Sequence, residues 1–332
     1  MNKSVLVISN FQIFFIEDDI RIISEFAETR FWNTAEKGLI NFSLIREIWS
    51  CDFIYCWFAS AHSFFPALVS RLFNKKLIVV SGAYDTVYVP EIGYGHAGHP
   101  VKKPVSRTIL SLADRVIVNS NHSKKSICKF LPSVTSKVDV VYHRIDYKEL
   151  DSKTQRDEKL ILTVLRMNKM NYLRKKVDLI KEVARKLPDY RFVHIGHILD
   201  DSRELFHRDL PDNFETAGFV SDSELWNWYH KAGFLIAPSW HEGFGLTSVE
   251  ALTAGCIPLV SGVGAQNEVT LGYAHEISSD EAVQWASEIQ TLTFSEEERG
   301  KVKNEVRNSY PKSDRPKHIF RVFKELDESF NQ

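Results

Sequence analysis

No stretch of this chain holds the roughly 20 consecutive apolar residues that a membrane-spanning helix needs, which excludes an ordinary helical span. Cysteine is scarce: Cys51, Cys56, Cys128 and Cys256 stand in apolar neighbourhoods, with no C-x-x-C pair and no Cys/His cluster at zinc spacing. That excludes a disulfide scaffold and a zinc module, and it fits a reducing compartment. Net charge is almost absent, a formal -1, so bulk electrostatics does not point to nucleic acid as a partner. Glycine is missing before Gly38, and no Ser/His/Asp or Cys/His set offers a nucleophile with its base. At the start, Lys3 and the apolar residues of 5–16 imitate a secretory signal. Ser9, Asn10 and Gln12 interrupt them, and Glu17, Asp18 and Asp19 follow where a cleavage site would stand. A soluble, cytoplasmic protein is expected, at most peripheral to the inner face of a membrane.

What is present is an alternation. Short β-branched runs at 5–9, 53–58, 77–81, 115–119 and 138–142 read as buried strands, with helical patterns at 34–49, 63–73, 105–113 and 123–130 between them. A polar stretch at 151–159 breaks the pattern. It restarts with strands at 160–165, 191–195, 234–237 and 257–260 and helices at 175–186, 222–232 and 246–254. Strand–helix alternation of this kind builds parallel sheets covered on both faces. The 332 residues suffice for two such α/β units, each a Rossmann-like, doubly wound domain. The expected division is 1–148 and 149–314. In the polar tail, interrupted by Pro311 and Pro316, the residues Ile319, Phe320, Phe323, Leu326 and Phe330 recur at helical spacing. That stripe needs a partner surface, so a C-terminal helix of about 315–332 is expected to return to the N-terminal domain.

The richest segment is FLIAPSWHEGFGLTSVEALTAGCIPLVSGVGAQNE, residues 234–268. A strand ends at Pro238, a loop runs to Gly245, and a helix follows until Gly255 caps it. Ligands of open α/β sheets bind beyond the carboxyl ends of strands, where this loop lies. Gly243 and Gly245 let the backbone approach a ligand, and the helix-start N–H groups of Gly245, Leu246 and Thr247 suit a phosphate. Glu242 and Glu250 bracket that position and suit sugar and ribose hydroxyls.

Glu242 and Glu250, with seven residues between them inside HEGFGLTSVEALTAGCIPLVS, resemble the E-x7-E motif of retaining GT-B glycosyltransferases, glycosyltransferase family 4 in particular. The resemblance extends over about 155–275. ILTVLRM resembles the family's first C-terminal strand, ending in Arg166, and the basic run 174–176 resembles its lysine, here Lys175 with Lys176 as a near rival. Gly196 ends the next strand, and ETAGFV resembles the segment whose backbone holds the nucleobase, at Phe219 and Val220. The resemblance implies two domains facing a cleft and a nucleotide-diphosphate sugar as donor. Arg166, Lys175 and Glu242 would be the catalytic set, with Glu250 on the ribose. It further implies front-face displacement, in which the leaving phosphate takes the acceptor's proton.

The N-terminal half departs from the family. Residues 11–16 replace its glycine-rich loop with aromatic and apolar side chains, and Leu165 and Lys176 replace glycines flanking the arginine and lysine. WFASAHSFFP and SGAYD follow strands, so His62, Tyr84 and Asp85 are weak candidates for the cleft or the acceptor. The loop 90–104, with three glycines and two histidines, reads as an acceptor-binding flap rather than a metal site. The D-x-D pattern of metal-dependent GT-A enzymes is absent from the chain, so neither cofactor nor metal is expected. Residues 1–150 hold 18 Lys and Arg against 14 Asp and Glu, which favours an anionic, glycan or lipid-linked acceptor and peripheral membrane contact. Synthesis of a cell-surface glycan, glycolipid or polysaccharide is the setting expected. Two alternatives stay open: another GT-B enzyme such as a sugar-nucleotide epimerase, and a non-catalytic GT-B protein that binds nucleotide sugar or stabilises a partner.

Overall fold

The computed structural model describes residues 3–149 and 155–330, which divide into two compact units, 1–144 with 312–332, and 145–311. The boundary falls at Arg144/Ile145, a few residues before the expected one, and residues 150–154 of the polar stretch lie outside the described residues.

In the N-terminal unit the strands are β1 (Ser4–Ser9), β2 (Glu28–Asn33), β3 (Phe53–Trp57), β4 (Lys76–Ser81), β5 (Arg115–Val118) and β6 (Val138–Val140). All pair in parallel, in the order β2-β1-β3-β4-β5-β6. The helices are α1 (Phe14–Ser24), α2 (Thr34–Lys37), α3 (Phe42–Ser50), α4 (Ala61–Leu72), α5 (Lys102–Leu112) and α6 (Asn121–Phe130). Period-2 alternation divides the core: Leu6, Ile8, Ile54 and Cys56 face α3–α6, while Val5, Val7, Phe53 and Tyr55 face α1.

The second unit repeats the plan. Its strands are β7 (Asp157–Val164), β8 (Arg191–Ile195), β9 (Phe214–Gly218), β10 (Ala232–Ala237), β11 (Ile257–Val260) and β12 (His275–Glu276), in the order β12-β11-β10-β7-β8-β9. Its helices are α7 (Lys169–Arg174), α8 (Val177–Lys186), α9 (Asp200–His207), α10 (Asp222–Lys231), α11 (Leu246–Thr253), α12 (Gln266–Val269), α13 (Ala282–Thr291) and α14 (Glu296–Ser309). The last helix, α15 (Asp314–Leu326), belongs to the first unit. Ile319, Phe320 and Phe323 are buried against the β1–β3 face, where Phe323 meets Phe26, Phe53 and Phe330 at ring distances of 5.2–5.6 Å. A buried ion pair fixes this helix: Arg315 donates to both oxygens of Asp19, and the Tyr55 hydroxyl donates to the same carboxylate at 2.7 Å.

Three sequence expectations need correction. The pattern at 34–49 is two helices, because Gly38 takes φ +89° and Asn41 then caps α3 by accepting from Leu44 N at 2.8 Å. The helix expected at 175–186 starts only at Val177, because Lys176 takes φ +47° between α7 and α8. Pro316 does not interrupt its helix; it is the third residue of α15, where the ladder does not yet need its N–H. In the apolar run 11–16, α1 starts at Phe14 and Ile16 packs into the core.

Candidate functional site

Both sheets reverse strand order at one point, between β1 and β3 in the first and between β7 and β10 in the second. The crevice outside such a point is where doubly wound sheets bind ligands. In the second unit the loop after β10 is the EGFG turn. It is held from two sides: Trp240 N donates to Arg174 O at 2.9 Å, and Ala265 N donates to Glu242 O at 2.8 Å. Gly264, at φ +68°, packs so closely that a Cβ there would stand 2.1 Å from Glu242 O. Phe244 anchors the turn from beneath, edge-on to Tyr310 at 6.1 Å.

The Glu242 carboxylate is bound by two cations. Lys175 Nζ donates to its Oε2, and Arg174 Nη1 donates to the same oxygen at 3.2 Å and to His241 O at 3.0 Å. Burial alone would raise this carboxyl; the positive charges of Lys175 and Arg174 outweigh it and bring Glu242 to about 2, ionised at every working pH. The Lys176 turn makes this possible. A left-handed residue between α7 and α8 frees Lys175 from the axis of α8, at a backbone cost of order 1 kcal/mol for a non-glycine. Lys176 itself pairs with Asp280 and lies 4.0 Å over the Trp240 ring.

The other candidates fall on neighbouring strand ends. Arg166 is exposed just after β7. Gly196, φ +133°, lets β8 end against that same turn, because a Cβ would stand 2.2 Å from Leu165 O. Phe219 is exposed after β9 and stacks flat on His197, centroids 4.4 Å apart, with Val220 half-buried beside it. Gly245, at φ +91°, caps α11, whose ladder begins at Ser248 and Val249; the N–H groups of Leu246 and Thr247 precede it. Glu250, one turn further, accepts from the buried Tyr229 hydroxyl at 3.0 Å. Burial raises its carboxyl to about 7 against that hydrogen bond.

In the first unit a cavity of about 570 Å3 opens at the ends of β1–β4, lined by Asn10, Thr34, Leu39, Ser60, His62, Tyr84, His96, Val101, Lys102 and Val105 among others. His62 and Tyr84 thus meet in one place. His62 Nε2 bonds Trp57 O at 2.7 Å, and Tyr84 stands edge-on to His96 at 4.7 Å. Asp85 does not join them. Its carboxylate is fully buried and accepts from Ala59 N at 2.9 Å and Ser81 Oγ at 2.8 Å, tying the turns after β3 and β4 together. The loop 90–104 is no free flap either: His96 bonds Ser106 Oγ at 2.8 Å, and Val89 and Tyr94 exchange backbone hydrogen bonds. Arg174, Tyr229, His197 and Gly264 escaped the sequence reading. Of these only Arg174 carried a signal, as a cation next to Lys175. Among the described residues no group of three or more His, Cys, Asp or Glu side chains stands together as metal ligands would.

Two parallel-sheet domains of this topology define the GT-B fold. Over 98% of this chain and 100% of the other, the structure matches a sucrose-phosphate synthase from Thermosynechococcus elongatus with a TM-score of 0.80 at 14% identity. A trehalose-6-phosphate structure from E. coli bound with UDP-2-fluoro glucose matches 98% of this chain and 99% of its own at a TM-score of 0.71 and 12% identity. Residues 146–308 match the family model of glycosyl transferases group 1. That match covers most of the second unit, and the fold of the whole chain is that of the GT-B proteins. A GDP-mannose:cellobiosyl-diphosphopolyprenol alpha-mannosyltransferase of Xanthomonas campestris is 24% identical over 232 residues, 67% of this chain and 58% of that protein. The chain spans about half the length of the curated relatives it matches.

Proposed function

We propose that the chain transfers a sugar from a nucleotide-diphosphate sugar to an acceptor hydroxyl, with retention at the anomeric carbon and without a metal ion. The observation that carries this reading is the Lys175–Glu242–Arg174 cluster beside the start of α11, at the switch point of the C-terminal sheet. The donor diphosphate meets the N–H groups of Gly245, Leu246 and Thr247 together with Arg166 and Lys175. As the anomeric carbon–oxygen bond breaks, negative charge grows on the leaving phosphate, and fixed cations and N–H dipoles stabilise it without rearranging. The acceptor oxygen bonds to the same face of that carbon, and its proton passes to the leaving phosphate oxygen. Lys175 turns from Glu242 to the diphosphate, and Arg174 keeps Glu242 ionised while it does so. Glu242 then accepts from hydroxyls of the transferred sugar, and Glu250 from the ribose. Gly196, Phe219 and Val220 border the nucleobase, and the His62–Tyr84 cavity takes the acceptor.

The names of the relatives support a nucleotide-sugar donor and a lipid-linked or small polyol acceptor, in synthesis of a cell-surface glycan, glycolipid or polysaccharide. Four free thiols, three of them buried, support a cytoplasmic setting. The test is nucleotide release across a panel of UDP-, GDP- and ADP-sugars, with and without excess EDTA, and NMR of the product's anomeric proton. One donor turning over with retained configuration in EDTA is expected. Inversion, or activity that only manganese or magnesium restores, overturns the mechanism.

A further inference from the structure

The N-terminal unit sorts its charge by face. Helices α4, α5 and α6 carry seven Lys and Arg residues and no Asp or Glu. On the opposite face α1 and α15 carry five acids and five bases, several paired: Arg315 with Asp19, and Arg21 and Arg144 with Asp18. The carboxylates bordering the cationic layer are already engaged, Asp114 by Arg71 and Glu47 by Arg30.

This layer also exposes large apolar side chains. On α3, Phe42, Arg46 and Trp49 share the outer face at i, i+4 and i+7, while Leu44 and Ile48 take the core side. Leu68 and Leu72 repeat the pattern on α4, and Trp49 meets Phe73 edge-on at 4.8 Å, joining the two stripes. Phe42 is 91% exposed, Leu72 77%, Ile40 69% and Trp49 64%. Single exposed apolar residues are ordinary, but this many on one layer whose helices carry a single carboxylate, Glu47, itself paired with Arg30, mark an interaction surface.

We infer that this layer, the outer faces of α3 to α6, docks on an anionic lipid bilayer. Aromatic and aliphatic side chains enter the headgroup region, and Arg46, Lys103, Lys125 and Lys129 meet the lipid phosphates. The occupant is set by two features. Helices α4 to α6 carry no carboxylate and Glu47 of α3 is paired with Arg30, which suits a surface of one sign, and the layer is continuous with the strand-end cavity, since Leu39, Val101 and Lys102 line that cavity and are also exposed. Docking therefore brings the cavity to the lipid surface and selects an acceptor that is itself a lipid with a phosphate headgroup, beside Lys102. The choice of acceptor rests on the acceptor reading of the cavity; the docking does not.

The experiment is co-sedimentation of the full chain with phosphatidylcholine vesicles, with and without phosphatidylglycerol, alongside nucleotide release from the donor. Retention on anionic vesicles at low salt, and release as salt screens the charges, are expected. Lys103→Glu with Lys129→Glu should lower partitioning by at least about 25-fold, at roughly five-fold for each cation removed. Phe42→Ser with Trp49→Ser should lower it about ten-fold at unchanged charge, and Arg21→Glu with Arg321→Glu on the opposite face should not. Acceptor-independent nucleotide release, measured without vesicles, should stay at the wild-type rate in the first two pairs, which also reports that they fold. No retention at low salt, equal retention by the first two pairs and wild type, or loss of a dimer in the Phe42/Trp49 pair overturns the docking. Vesicle binding without nucleotide release for any donor would instead sink the transferase reading and leave the docking standing.

Discussion

At the switch point of the C-terminal sheet, Arg174 and Lys175 surround Glu242 and Arg166 stands at the next turn. At the switch point of the N-terminal sheet, Asn10, His62, Tyr84 and His96 line a cavity with Leu39, Val101 and Val105, and Lys102 is its one charged lining residue among those described. The topology is shared, and it fixes where each site lies. The loops decide what each can hold. One edge sets two cations around a carboxylate, and the other is largely apolar; on the proposed reading the first meets the diphosphate and the second the acceptor. Close backbone approach serves both: Gly196 and Gly264 at the charged edge, and Gly95, φ +98°, beside the cavity, where a Cβ would stand 2.2 Å from Val87 O.

The comparison breaks most visibly at Lys175. If its charge is used chiefly as the diphosphate leaves, Lys175→Ala lowers kcat by about 10²–10³-fold with a small change in donor KM. Arg166→Ala should behave alike. Arg174→Ala acts only through Glu242, so a smaller loss, about ten-fold, is expected. Steady-state kinetics with a saturating acceptor decides this, and near-wild-type turnover in both Lys175→Ala and Arg166→Ala would remove the charge-stabilising role of this edge.

Glu250 sharpens the contrast through pH. Its carboxyl sits near 7, and only the carboxylate accepts from both ribose hydroxyls. Donor KM should therefore rise about ten-fold from pH 8 to pH 6, one unit on either side of that value. Glu250→Gln should flatten the profile. The sign for stability is opposite: a raised pKa means the folded state prefers the proton, so burial of the carboxylate destabilises the wild type as pH rises through 7. Glu250→Gln should accordingly gain more in Tm at pH 8 than at pH 6, and an equal gain at both would place the carboxyl in solvent.

The C-terminal half was more legible in the sequence than the N-terminal half, for a physical reason. Loop 240–245 and helix α11 are local: carboxylate, glycine, cap and second carboxylate follow one another, so spacing alone sets Glu242 on the loop, Gly245 at the cap and Glu250 a helical turn beyond it. Partners brought together across the fold leave no such trace. Nothing in SGAYD says that Asp85 turns inward to Ala59, or that Asp19 waits for Arg315, 296 residues later. The edge strand β2, ETRFWN, lacks β-branched alternation and is recognisable only through its pairing with β1.

The smallest effect expected is on the acceptor side, where it should be close to none. His62 is held below its ordinary value by burial, and His96, by burial and then by the nearby Lys102, sits at about 4. Beside them the Asp85 carboxyl is closed inside the turns. His96 thus stays neutral between pH 8 and pH 6 and burial opposes protonation of His62, so acceptor KM should hold within about two-fold over the range in which donor KM moves ten-fold. Folding must be followed in parallel. A histidine whose folded pKa is depressed takes up its proton on unfolding, so these two residues lower stability as pH falls below about 6.5, the unfolded value. Circular dichroism at each pH separates that loss from any change in binding. An acceptor KM that tracks the donor profile, with the fold intact, would show that both substrates read one titrating group, and the division of chemistry between the two edges would fall.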